Sequence, residues 1–166
     1  LREPIDGLAR ADAVLVTKVP TDPTMVLDRI RRVVAGIAPD LPVFAARLEP
    51  TAIRRAGETA KTAVLRGTRV LAVAALGRPE GFAELLRGAG ARVVETRWYP
   101  DHHPFAQHEI DEVLGRAGEL EAVVATTAKD AVKMPRDAAV WVVEASMVPL
   151  SGSWDELWDL LPGVER

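Results

Sequence analysis

All three histidines of this 166-residue chain fall in one segment, TRWYPDHHPFAQHEID, residues 96–111. His102 and His103 follow Asp101 directly, Pro100 and Pro104 bracket the triplet, and His108 stands shortly after. An imidazole titrates near neutrality, so a ring steadied by a neighbouring carboxylate can accept or relay a proton. The spacing argues against a metal site. The rings are not placed one turn apart on a helix, and adjacent residues on a strand or turn point apart, whereas zinc needs three or four converging ligands. Two readings remain from the residues alone: proton chemistry at one of these imidazoles, its tautomer fixed by Asp101 or by a carboxylate elsewhere, or a surface turn that collects imidazoles. A second polar cluster, TTAKD at 126–130, contributes Lys129 and Asp130.

Other chemistries lack their residues. The chain has no cysteine, which removes disulfides, thiolate nucleophiles and zinc–thiolate sites and fits a reducing compartment. A P-loop requires G-x-x-x-x-G-K-[ST]. The nearest imitation, RRAGETAKT at 54–62, offers Lys61 and Thr62 but has Ala60 where glycine is needed. GRPEG at 77–81 reads as a tight strand-to-helix turn without the dinucleotide-binding glycine spacing. Ser146, Ser151 and Ser153 carry no acyl-transfer signature. The net charge of −3 gives no nucleic-acid signal. Between Arg29 and Arg69, however, nine basic residues (Arg29, Arg31, Arg32, Arg47, Arg54, Arg55, Lys61, Arg66, Arg69) stand against Asp40, Glu49 and Glu58. That stretch reads either as solvated faces or as a surface for an anionic substrate or lipid headgroup.

The elements that must position these residues alternate. AVLVTKV (13–19) predicts a strand. The next segment predicts a helix capped by Asp22 or Thr21, with Pro23 in its first turn and Met25, Val26, Ile30, Val33 and Val34 at helical spacing. LPVFAARLEP (41–50) reads as extended, and 52–65 is ambiguous. RVLAVAALG (69–77) is a buried strand, followed by a helix opened by Pro79 and closed by Gly88 or Gly90. ARVVETRWY is the strand that runs into the histidines. PFAQHEIDEVLGRAG is a helix with Pro104 at its start and Phe105, Ile110, Val113, Leu114 and Ala117 on one stripe. EAVVATT is a strand, AKDAVKMP a short turn and AVWVVEA (139–145) a strand. SWDELWDLL is a final helix capped by Ser153, with Trp154, Leu157, Trp158 and Leu161 on one face. The alternation predicts an α/β fold: a mostly parallel sheet with flanking helices, Rossmann-like in its layering. In such sheets ligands lie outside the carboxyl ends of the strands. Both polar clusters fall there, each before a helix start that favours anions. No apolar run reaches the roughly 18 residues of a membrane span. The opening LREPIDGLARAD is neither a signal peptide nor a methionine start, and reads as the middle of a longer protein.

LREP, RVLAVAALGRPEGF, YPDHHPF and TTAKDAVKMP occur in this order. Together they resemble the C-terminal half of the tetraacyldisaccharide 4'-kinases, the lipid A 4'-kinases of Gram-negative bacteria, from Leu1 to about Pro149. The resemblance implies an enzyme that transfers the γ-phosphate of ATP, with Mg²⁺, to the 4'-hydroxyl of a lipid A disaccharide 1-phosphate. It also implies a peripheral protein at the cytoplasmic face of the inner membrane. The family's P-loop, catalytic aspartate and acidic metal-binding motif lie in an N-terminal half that this sequence lacks. By position His102 is the family's catalytic histidine, which pairs with that aspartate, and Asp101 holds the turn or the ring. Arg2 and Glu3 match junction residues near substrate or nucleotide, with Glu3 a candidate for orienting metal-bound water or the nucleotide. Lys129 and Asp130 lie in the family's T-E-K-D motif, where this chain has Ala128 in place of glutamate. His103 and His108 are expected to be solvated.

The resemblance further implies that this chain alone binds neither ATP nor Mg²⁺ tightly, holds no metal or nucleic acid, and is inactive by itself. Its expected partners are the lipid A disaccharide precursor, the inner-membrane surface and the absent P-loop lobe. The expected organisation has four parts. Residues 1–40 end the N-terminal lobe, 41–75 form a hinge ribbon and the strand leading into the next lobe, 76–150 form the α/β C-terminal lobe, and 151–166 form a helix packing back. In that ribbon PVFAARLEPTAI pairs with the strand beginning at Arg69. Two alternatives stand beside this reading. One is a self-sufficient α/β module that binds a nucleotide, an anionic lipid or a protein. The other is a DHH-type phosphoesterase, which needs further aspartate motifs that the sequence does not supply in recognisable form.

Overall fold

The structure is a computed structural model that describes residues 3–20, 22–55, 58–151 and 153–161. Arg2 and the alternative cap Thr21 lie outside the described residues. The chain forms two compact units, Leu1–Leu48 with Met147–Arg166, and Glu49–Ser146.

The first unit holds a 3-10 turn at Ile5–Arg10, strand β1 (Val14–Val16), helix α1 (Thr24–Ala35) and the beginning of β2 (Val43–Arg55). β1 runs parallel to β2, with Val14 opposite Val43 and Val16 opposite Ala45. Pro23 precedes α1, where a fixed φ helps start a helix, and Asp22 Oδ1 accepts the Thr24 N–H at 3.2 Å. The buried residues of α1 are Leu27 and Val34, which stand two turns apart. Leu27 packs with Val19, Ala45, Val16 and Leu150. Of the apolar row predicted for this helix, Met25, Val26 and Val33 are exposed; by helical spacing Val26 and Val33 flank the buried stripe, whereas Met25 falls on the opposite face. The last helix, α5 (Trp154–Trp158), is capped as expected, Ser153 Oγ accepting the Glu156 N–H at 3.4 Å. It spans little more than one turn, so it buries Leu157 and leaves Trp158 exposed.

The second unit carries the parallel sheet. Its strands are the end of β2, β3 (Glu58–Ala60), β4 (Arg69–Ala74), β5 (Arg92–Trp98), β6 (Val123–Thr127) and β7 (Trp141–Pro149). They lie in the order β2-β7-β6-β4-β5, with β3 antiparallel to β2. β4 pairs in parallel with both β5 and β6, and β6 with β7. The α/β architecture with a mostly parallel sheet is therefore as the alternation predicts. β4 explains the core. Val70, Ala72 and Ala74 pack with Phe82 and Leu86 of α2 (Glu80–Gly88), whereas Leu71 and Val73 pack with Ile110, Val113 and Ala117 of α3 (Gln107–Glu119). A strand apolar from Val70 to Ala74 suits burial on both faces, and each fully buried Leu, Ile or Val side chain contributes about 1.5–3 kcal/mol.

Three local expectations are corrected. The strand from Arg69 is not half of a ribbon with 42–53: β4 lies between β5 and β6, where its two apolar faces are covered. The strands that pass from one unit into the other are β2 and β7. α3 begins at Gln107 instead of Pro104, and Phe105 is buried from the segment ahead of the helix. The ambiguous 52–65 stretch resolves into the end of β2, then β3, then a 3-10 turn at Thr62–Leu65, and the turn after β6 is a short helix, α4 (Ala128–Ala131).

Candidate active site

β4 sits at the point where the connections diverge. The chain leaves β4 through α2 to β5 on one side, then passes through α3 to β6 on the other. Open parallel sheets leave a crevice at the carboxyl ends of such strands. Asp130 braces this place. Its fully buried carboxylate accepts the Ala75 N–H at 3.0 Å and the Thr127 hydroxyl at 2.9 Å through Oδ2, and the Lys133 ammonium at 3.2 Å through Oδ1. The Asp130 N–H in turn donates to Thr127 Oγ1 at 3.1 Å, so Thr127 caps α4 in the manner of hydroxyl side chains at helix starts. A buried carboxylate persists only with such partners, and these tie the end of β4 to the end of β6.

The turn after β5 is Pro100–His103, closed by the His103 N–H donating to Pro100 O at 3.0 Å. Within it His102 has φ of +64°, a left-handed conformation uncommon outside glycine. Asp101 Oδ1 accepts the His102 N–H at 3.0 Å and the Lys129 ammonium at 3.1 Å. The Lys129 hydrogen bond, aided by the neighbouring His102, holds the Asp101 carboxyl below the usual carboxylate range. The His102 side chain is 74% exposed, and its Nε2 stands 3.8 Å from Asp101 Oδ2, too far for a hydrogen bond. A Cβ on Gly77 would lie 3.9 Å from the same oxygen, so the GRPEG turn after β4 borders the carboxylate. Three loop ends thus meet, and Asp101, His102 and Lys129 come together above the Asp130 brace. The arrangement presents one exposed imidazole beside a carboxylate whose charge is already compensated.

His103 behaves differently from the expectation of a solvated ring. It is half-buried, with Nε2 2.9 and 3.0 Å from the two oxygens of Glu109. Glu109 Oε2 also accepts the Ala106 N–H at 2.9 Å. That backbone bond, then His103, lowers the Glu109 carboxyl below its ordinary value; the ionised carboxylate can only accept, so His103 donates. Tyr99 stacks on His103 at 4.8 Å, and Phe105 meets both rings edge-on at 5.0 and 5.2 Å. Burial, then the Glu109 charge, raises the Tyr99 phenol. Sequence reasoning missed this cluster; its signal is a glutamate three residues after Ala106, at the position that reaches back to a helix start. His108 is exposed on the first turn of α3, as expected.

Glu3 lies in the first unit, exposed, with Oε2 3.1 Å from Arg10 Nη2, and Arg2 falls outside the described residues. Among the described residues no group of three His, Asp or Glu side chains is placed to hold a metal ion. No helix among the described residues is long and apolar enough to cross a membrane.

Comparison with known proteins adds the following. The family model for LpxK, tetraacyldisaccharide-1-P 4'-kinase, matches residues 1–161. The tetraacyldisaccharide 4'-kinase of Paramagnetospirillum magneticum is 38% identical over 168 residues, covering 99% of this chain and 45% of that protein. That of Rhodospirillum centenum is 40% identical over 157 residues, covering 94% of this chain and 41% of that protein. The chain therefore spans less than half the length of these curated relatives. A crystal structure of the "apo" form of LpxK from Aquifex aeolicus in complex with ATP superposes with a TM-score of 0.56 at 22% identity, covering 96% of this chain and 44% of that one. At that identity the likeness speaks for the fold.

Proposed function

Since this chain belongs to the tetraacyldisaccharide-1-P 4'-kinase family, we propose that it is the C-terminal part of a lipid A 4'-kinase. That enzyme moves the γ-phosphate of ATP to the 4'-hydroxyl of a lipid A disaccharide 1-phosphate. The observation that carries the reading within this chain is His102: an exposed imidazole, held out on a left-handed turn at the carboxyl ends of the strands. Catalysis of phosphoryl transfer rests mainly on positioning and charge neutralisation. His102 serves it by pairing with a carboxylate from the rest of the enzyme, which accepts the proton of the attacking hydroxyl. Asp101 acts on His102 rather than on substrate, since its Oδ1 is committed to the His102 N–H and to Lys129. Lys129 keeps Asp101 in place, and Asp130 fixes the floor beneath them. Arg2 and Glu3 act at the junction, near substrate or nucleotide.

ATP and Mg²⁺, when bound, supply the phosphoryl group and neutralise its charge, and their seats belong to the part of the enzyme outside this chain. Alone, this chain transfers no phosphate. Its partners are the P-loop lobe, the lipid precursor and the cytoplasmic face of the inner membrane. For the membrane, the supporting feature is α1, which exposes Met25, Val26 and Val33 next to exposed Arg29, Arg31 and Arg32. Such a face binds anionic vesicles more strongly than neutral ones, with binding that weakens as salt rises. The test of the main reading is a transfer assay with labelled ATP and a lipid A disaccharide 1-phosphate. The full-length protein should label the 4' position and this chain alone should label nothing. Absence of transfer by the full-length protein, together with nucleotide or vesicle binding by this chain alone, would favour the self-sufficient binding module.

A further inference from the structure

Among the described residues the His102 ring makes no hydrogen bond that fixes it: it is 74% exposed, and Asp101 Oδ2 stands 3.8 Å from its Nε2. Its position is therefore dictated by its backbone, and that backbone has φ of +64°. An L-residue other than glycine keeps such a conformation only where its surroundings impose it.

The constraint comes from both flanks. Before the turn, the Tyr99 N–H donates to Ala74 O at 2.9 Å and ties the chain to the end of β4. After it, His103 donates its N–H back to Pro100 O and its ring is held on three sides, by Glu109, Tyr99 and Phe105. Glu109 cannot drift, because the same Oε2 that meets His103 Nε2 at 2.9 Å accepts the Ala106 N–H at 2.9 Å ahead of α3. The turn is thus pinned to the sheet on one side and to a helix on the other, and His102 projects between the pins.

We propose that His103 and Glu109, with Tyr99 as the stacking surface, form a positioning clamp that sets the place of the His102 imidazole during phosphoryl transfer. The clamp rests on the reading of His102 as the catalytic imidazole of a lipid A 4'-kinase. His103 and Glu109 act through His102, so neither needs to meet substrate. A mispositioning of about 1 Å at a reacting group can cost on the order of 10²-fold in rate.

The test is steady-state kinetics of the full-length kinase carrying His103→Phe, Glu109→Ala or Glu109→Gln, each also combined with His102→Ala. Melting curves and circular dichroism establish that each variant is folded. His103→Phe keeps an aromatic surface for Tyr99 but loses the bond to Glu109, and Glu109→Ala loses both bonds of Oε2. Each should lower kcat roughly tenfold to a hundredfold with KM for both substrates unmoved. Glu109→Gln should restore most of kcat, because one amide oxygen can accept both bonds that Oε2 makes. In the His102→Ala background the clamp substitutions should lower kcat no further, as expected of residues acting as a unit. If His102→Ala lowers kcat while folded His103→Phe and Glu109→Ala retain it, the clamp is refuted and the active-site reading stands. Equal losses with and without His102 would also refute the clamp, since the pair would then act elsewhere. Full kcat in His102→Ala would overturn both.

Discussion

Replacement of Asp130 tests the brace under the site in quantitative terms. The carboxylate accepts the Ala75 N–H, the Thr127 hydroxyl and the Lys133 ammonium. In Asp130→Ala the three donors fare differently. The Lys133 side chain, 21% exposed, can turn to water, and the Thr127 hydroxyl can rotate. The Ala75 N–H cannot move, because Ala75 is fully buried at the end of β4. A buried donor left without a partner costs about 1–3 kcal/mol, and the partial release of Lys133 keeps the remainder below the roughly 3–5 kcal/mol of a broken, fully buried pair. The expected loss is about 2–4 kcal/mol, or about 8–30 °C in Tm for a domain of this size. Asp130→Asn should lose less, about 1–2 kcal/mol, since its oxygen can replace Oδ2 and only the contact with Lys133 turns unfavourable. Adding Lys133→Met should recover part of that. Urea denaturation can follow it through tryptophan fluorescence, because Trp98 and Trp141 pack against the core of this unit. A loss under about 0.5 kcal/mol for Asp130→Ala, the level of an ordinary surface change, would refute the reasoning, as would equal losses for Ala and Asn.

The other predictions concern pH. The folded-state carboxyls of Asp101, Glu95 and Glu109 are held low by Lys129, by Arg116 and by the Ala106 N–H respectively. Their stabilisation is present above the ordinary carboxyl range and is lost as pH falls below about 4. Urea midpoints should drop through that window and flatten above it, and a constant midpoint down to strongly acid pH would contradict the assignment. Lys129→Met should raise the Asp101 titration toward its ordinary value, read by NMR of the carboxyl carbon. Tyr99 is the one tyrosine in the chain, so phenolate absorbance reports it alone. Burial raises its folded-state value; the associated stabilisation is complete below about pH 10 and is lost as pH climbs through the folded value. The phenol should therefore ionise at higher pH in folded protein than in urea, and coincident titrations would contradict its burial against His103.

How much of this could be read from the residues depends on the range of the interaction. RVLAVAALG is apolar from Val70 to Leu76, and this alone implies a strand covered on both faces, as β4 is. The placing of Asp101 and Thr126–Asp130 at strand ends follows from the apolar runs that precede them and from the crevice at the carboxyl ends of parallel strands. The bonds that make the site lie out of reach of such patterns. Ala75 and Asp130 are 55 residues apart and Asp101 and Lys129 are 28 apart, joined only once β4, β5 and β6 lie side by side. The His103–Glu109 contact is local yet misread, because Pro104 suggests a helix start. The chain instead runs extended to Ala106 and begins α3 at Gln107, which turns Glu109 back toward His103. Pro50 similarly suggests the end of a strand, but β2 continues to Arg55; proline is tolerated where its missing N–H has no ladder partner to serve.

The most direct measurement is kcat of the full-length kinase with His102→Ala, determined at saturating ATP and lipid acceptor. If this imidazole supports removal of the hydroxyl proton, kcat falls by about 10²–10⁴-fold while KM for both substrates stays where it was. An unchanged kcat, or a loss confined to KM, would contradict the assignment of His102 to proton chemistry.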